Sequence, residues 1–176
     1  MLNDAIHSAK WAHKSNTFSL QTFVSVNAGV QGLVVEGRAK YLSCAVSRKI
    51  YPLPAKAFPK VAVVQSYLDN DGQIIALVGK SEFDGVVIDG FGAGHVSFGM
   101  MDEIKKLKIP VVVSSRTGSG MCATKTYGYK GSEIDLQSSG CVMSGWLSAI
   151  KARLLLMVLI ADEIPPQEIK NEFENF

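Results

Sequence analysis

The sequence predicts an α/β protein in which a small parallel sheet is flanked by helices and preceded by a piece of a second α/β domain. Three observations lead there. After Lys60, short β-rich apolar runs alternate with segments of helical periodicity, a pattern that builds a parallel sheet covered on both faces. Just before that alternation, Pro52, Pro54 and Pro59 interrupt the chain, so residues 44–59 read as an extended linker. Residues 1–43 hold too few apolar segments to close a core of their own, as expected of a remnant of a larger domain. The expected organisation is therefore remnant 1–43, linker 44–59 and α/β domain 60–176.

The elements follow in order. Met1-Leu2 followed by Asn3-Asp4 reads as the exit from a strand. Residues 32–43 (GLVVEGRAKYLS) read as a hairpin turning near Glu36-Gly37. Residues 60–67 (KVAVVQSY) form the first buried strand, and residues 73–83 a helix preceded by Asp71-Gly72. Residues 85–89 (GVVID) are a second buried strand running into a glycine loop. Within residues 97–108, Met100, Met101, Ile104 and Leu107 share one helical face. Asp102 and Glu103 lie early there and three lysines late, as the helix dipole favours. Residues 111–115 are a third strand and 141–144 a short fourth. Residues 147–161 form a buried helix, and Pro165-Pro166 opens a last amphipathic helix with Ile169, Phe173 and Phe176 on one face.

Bulk composition narrows the function classes. Lys+Arg is 18 and Asp+Glu is 16, so the net charge of +2 gives no reason to expect nucleic acid or an anionic membrane as a partner. The longest apolar run, residues 154–161, is too short to span a bilayer. MLNDAIHSAKW lacks the basic start and apolar run of a signal peptide. Cys44, Cys122 and Cys141 show neither a CxxC pair nor metal-ligand spacing, which predicts buried or idle thiols rather than metal ligands.

Three places carry candidate chemistry. Lys14, in Lys14-Ser15-Asn16-Thr17, becomes a general base only if desolvation or nearby cations favour its neutral form. Gly92 and Gly94 lie in the loop Gly90-Phe91-Gly92-Ala93-Gly94-His95, where a strand ends and backbone can approach a ligand closely. Glu133, in Gly131-Ser132-Glu133-Ile134-Asp135, taken alone is a loop glutamate, and Asp135 is near enough to be confused with it.

The run LNDAIHSAKWAHKSNT, the glycine loop and residues 109–161 (IPVVVSSRTGSG…KARLLLMVLIA) together resemble the bacterial-type L-asparaginases, type II-like through Lys-x-Asn-Thr. The resemblance covers essentially the whole chain. It departs where Gly29-Val30-Gln31-Gly32 replaces a Gly-Pro-Leu-Gly turn, and where His95 occupies a place that is usually Asn or Ser. It implies hydrolysis of the L-asparagine side-chain amide to aspartate and ammonia, with room for some L-glutamine turnover, and no cofactor. It implies that Lys14 is a catalytic proton-transfer residue. Glu133 and His95 would be substrate-binding residues donated to a neighbouring subunit of a homotetramer, a dimer of dimers. The type II likeness points to a periplasmic or secreted compartment.

The family's Thr-Gly-Gly-Thr and His-Gly-Thr-Asp-Thr motifs, which carry its nucleophile, do not occur in these 176 residues. The expectation is a C-terminal part, inactive and aggregation-prone by itself, since a base without a nucleophile splits no amide. Two other readings stay open. One is a non-catalytic amino-acid-binding or assembly protein of the same shape. The other is an NADP-binding module, with Ser114-Ser115-Arg116 placed for a 2′-phosphate, although G-x-G-x-G is not the G-x-G-x-x-G fingerprint.

Overall fold

The computed structural model describes residues 1–44, 49–55 and 57–176. These divide into two compact units, Met1–Ile50 and Tyr51–Phe176. Part of the expected linker, residues 45–48 and 56, lies outside the described residues; the rest of 44–59 carries no helix or strand.

The first unit is built from short antiparallel strands. β1 (Ala5–Ile6) pairs with β4 (Gly32–Val35), which pairs with β5 (Arg38–Tyr41); β2 (Ala12–Lys14) pairs with β3 (Phe23–Ser25). The β4–β5 hairpin turns where expected. Glu36 (φ 52°) and Gly37 (φ 74°) both have the positive φ that a type I′ turn needs to match strand twist. Met1-Leu2 differs from expectation. Leu2 bridges Ala5 across Asn3 and Asp4, both at positive φ, so the chain turns back on itself rather than leaving a strand. β1, β2 and β3 escaped the sequence reading because two or three residues are too few to show alternation.

The second unit is a four-stranded parallel sheet in the order β6 (Val61–Gln65), β7 (Gly85–Gly90), β8 (Val111–Ser115), β9 (Val142–Met143). Because successive side chains point to opposite faces, each central strand feeds two cores. Val86, Ile88, Val111 and Val113 face a layer made by α1 (Gln73–Gly79), α2 (Phe98–Ile104) and α3 (Glu133–Ser138), which contribute Ile75, Val78, Met100, Met101, Ile104 and Leu136. Val87 and Val112 face α4 (Ala149–Ala161) and α5 (Pro166–Asn175), through Ala152, Leu155, Leu156, Leu159, Ile169 and Phe173. Each buried Leu or Ile contributes about 1.5–3 kcal/mol by leaving water. Arg153 donates from Nε to the Val61 carbonyl at 2.8 Å and so ties α4 to the outer strand β6.

Helix ends depart from the periodic reading. α1 stops at Gly79 rather than residue 83, because Lys80 and Ser81 N–H turn back to the Leu77 and Val78 carbonyls. α2 likewise ends at Ile104, and Leu107 reaches the core from the turn that follows. Phe176 is half-exposed past the end of α5 and does not join Ile169 and Phe173 on the buried face. No helix among the described residues is long and apolar enough to cross a membrane.

Candidate functional site

The site sits at the carboxyl end of the parallel sheet, where strand ends give way to loops. β7 runs into residues 91–95. That loop closes on itself through Phe91 N–H to the His95 carbonyl (2.8 Å) and His95 N–H to the Phe91 carbonyl (2.9 Å). Gly92 (φ 39°) and Gly94 (φ 95°) supply the positive φ that the tight turn needs and that other residues rarely adopt. The closed turn fixes His95 with 9% of its surface exposed.

Glu133 is not a loop residue. It is the first residue of α3, behind N-cap Ser132, and its side chain is wholly enclosed. The signal was present: Ser132 precedes Glu133 and Asp135 in the first turn, and Leu136 follows. Helix length defeated it, since α3 has six residues. Glu133 Oε1 accepts from the backbone N–H of Thr126 and of Tyr127, both at 2.6 Å, and Oε2 lies 2.8 Å from His95 Nε2. Burial by itself pushes this carboxyl up. The N–H groups of Tyr127, Glu133 itself and Thr126, together with the His95 ring, outweigh it and hold the group below the usual glutamate range. An ionised carboxylate therefore backs an imidazole.

Two aromatic residues unnoticed in the sequence complete the constellation. Tyr129 Oη lies 2.6 Å from His95 Nδ1, and the Tyr127 and Tyr129 rings meet the imidazole edge-on at centroid distances of 4.9 and 5.4 Å. Both are half-exposed. Two tyrosines close together in a loop rich in Gly, Ser and Thr were the available clue.

Asp135 separates cleanly from Glu133. It accepts from Gly131 N–H at 2.9 Å and from Lys105 Nζ at 3.0 Å, so it ties the loop end to the turn after α2. Burial raises its carboxyl, but the Gly131 N–H and Lys105 hold it low. Arg116 is committed too: Nη1 donates to the Ser66 carbonyl at 2.8 Å and its guanidinium lies 4.5 Å from the Phe91 ring centroid, which leaves it ill placed to clamp a phosphate. Lys14 belongs to the first unit. It ends β2, is exposed, and pairs through its backbone with Phe23. The following Asn16 caps a turn by accepting from Phe18 and Ser19 N–H. His95 and Glu133 are thus joined directly; Lys14 is placed on a separate unit. Among the described residues no group of three His, Cys, Asp or Glu side chains could hold a metal ion.

Residues 60–173, which form this parallel α/β layer, match one family model, that of the glutaminase/asparaginase C-terminal domain. The chain belongs to that family. Its similarity extends beyond the domain. It is 28% identical over 176 residues to an L-asparaginase of Bacillus licheniformis, covering 98% of this chain and 53% of that protein. It is 29% identical to L-asparaginase 2 of Escherichia coli, covering 100% and 51%. It is 27% identical to a probable periplasmic L-asparaginase of Haemophilus influenzae, covering 99% and 51%. The chain spans about half the length of these relatives.

Proposed function

We propose that this chain carries the substrate-receiving part of an L-asparaginase, an amidohydrolase that converts L-asparagine and water to L-aspartate and ammonia, with some turnover of L-glutamine. The observation that carries this is the His95–Glu133 pair, an ionised carboxylate held by three donors at the sheet's carboxyl end. A fixed negative charge of that kind suits the ammonium of an amino-acid substrate. The pair acts as a donated element, completing the site of a neighbouring subunit in a homotetramer. Residues 1–43 belong to the preceding domain, 44–59 link, and 60–176 form the C-terminal domain. Lys14 moves a proton during amide attack by a hydroxyl nucleophile that these 176 residues do not supply.

The test is ammonia release from L-asparagine. The 176-residue chain alone should release none above background. Combined with the N-terminal half of the Bacillus licheniformis relative, it should gain activity. In that assembly Glu133→Gln should raise KM by about 2–4 kcal/mol in binding, because it takes away the negative charge that the His95–Glu133 pair presents to the substrate ammonium. Lys14→Met should chiefly lower kcat. Turnover by the chain alone at enzymic rates would sink the divided-site reading, and unchanged KM in the Glu133 variant would remove that residue from the substrate.

A further inference from the structure

We propose that Tyr129 ends a hydrogen-bonded chain, Glu133–His95–Tyr129, and that its phenol oxygen, rather than the Glu133 carboxylate, is the group that first accepts the ammonium of an amino-acid ligand. This rests on the amino-acid reading above and adds a residue and a direction to it.

The direction follows from which atoms can donate. An ionised carboxylate only accepts. Glu133 Oε2 therefore accepts from His95 Nε2, which must carry the hydrogen. A neutral imidazole then has a bare Nδ1, so Tyr129 donates its O–H inward across 2.6 Å. The phenol proton is used on the inside, and the oxygen's remaining lone pair is left for a donor outside.

Exposure gives the same order. The Glu133 side chain is 0% exposed and both of its oxygens already accept, whereas Tyr129 is 49% exposed. An ammonium arriving from water meets Tyr129 before it could reach Glu133. The Tyr127 ring, 6.0 Å from that of Tyr129, adds a second electron-rich face beside the same spot. Polarisation along the chain makes this oxygen a better acceptor than a free phenol, because the carboxylate pulls on the imidazole hydrogen and the imidazole on the phenol proton. The enclosed carboxylate thus acts at a distance, through two hydrogen bonds, on a ligand it does not touch.

The experiment uses the 176-residue chain with ¹⁵N-labelled histidine, at about pH 7.5. His95 should show the Nε2–H tautomer. Tyr129→Phe should shift the Nδ1 resonance strongly and Tyr127→Phe should not. Titration with L-asparagine, with β-alaninamide (ammonium but no carboxylate) and with succinamate (carboxylate but no ammonium) then reads the ligand. The first two should perturb His95 and the third should not. Tyr129→Phe should weaken the response about 3–10-fold, the loss of one hydrogen bond. An Nδ1–H tautomer, an equal response to succinamate, no response to any of the three, or a Tyr129→Phe variant that binds like the wild type would each overturn the proposal. A chain that binds ammonium ligands in this way but releases no ammonia when complemented would keep it and discard the asparaginase reading.

Discussion

The two units put similar fractions of β-branched and aromatic residues to very different use. In Tyr51–Phe176, strands of Val and Ile are sealed on both faces, and side chains such as Ile88, Leu156 and Leu159 have no exposed surface. In Met1–Ile50 no described hydrophobic side chain is buried; Thr22 and Gly32 are the innermost residues, while Phe18 and Leu20 stand 95% and 93% exposed on the β2–β3 loop. Hydrogen-bonded pairing is present in both. Among its described residues the first unit shows no second layer, and a sheet with neither face covered gains little from its ladders.

The comparison can be broken most directly by cutting it. Residues 51–176 expressed alone should unfold cooperatively on heating, followed by circular dichroism, whereas residues 1–50 alone should show no cooperative transition. A sigmoidal melt of the short piece would mean that its hairpins hold more than their burial suggests. Single substitutions sharpen the contrast. Leu156→Ala should cost about 3–5 kcal/mol in urea unfolding, since it empties a packed site. Leu33→Ala, at a half-exposed strand position, should stay within about 0.5 kcal/mol.

A smaller effect comes from acid. Glu133 and Asp135 are both held below their ordinary carboxyl range in the folded state. Their stabilisation is therefore fully present above that range and is lost as pH falls through their folded values. Glu133→Gln should flatten the acid limb of the stability curve and lower the plateau, and an unchanged limb would show that these carboxylates are not what acid attacks. The smallest difference lies in thiol chemistry. Exposed Cys44 should react with a thiol reagent at neutral pH, while buried Cys122 and Cys141 should resist until unfolding. Burial pushes the Cys141 thiol to about 12. It should therefore subtract stability as pH rises from the ordinary thiol range, about 8.5, towards that value.

The same contrast explains what could be read from the sequence. Strands β6, β7 and β8 and helices α4 and α5 were legible because burial on both faces, or on one stripe, imprints a run or a period on the residues. In unit one the β4–β5 hairpin showed itself through its Glu36-Gly37 turn rather than through burial, while the two- and three-residue strands passed as loop. At the site, Glu133, His95 and the glycine turn were marked by resemblance and by residue type. Their mutual contact was not: residues 38 apart in the chain meet only because β7 and the α3 approach end at the same edge of the sheet. The part proposed for Tyr129 was unreadable for a different reason. Its role depends on which ring nitrogen the carboxylate claims, and no sequence pattern encodes that.

The strand order β6-β7-β8-β9 copies the order of the chain. During translation, each new strand therefore emerges beside a finished neighbour and need not wait for a later one. The sheet can grow at one edge as the polypeptide lengthens, with α1 and α2 already covering one side. The opposite side is sealed only when α4 and α5 arrive, because Leu155, Leu156, Leu159, Ile169 and Phe173 follow all four strands in the chain. Until then, Val61, Val87 and Val112 face water. A nascent chain stalled before residue 149 would present that valine surface to any chaperone in reach, and emergence of residues 149–176 would withdraw it.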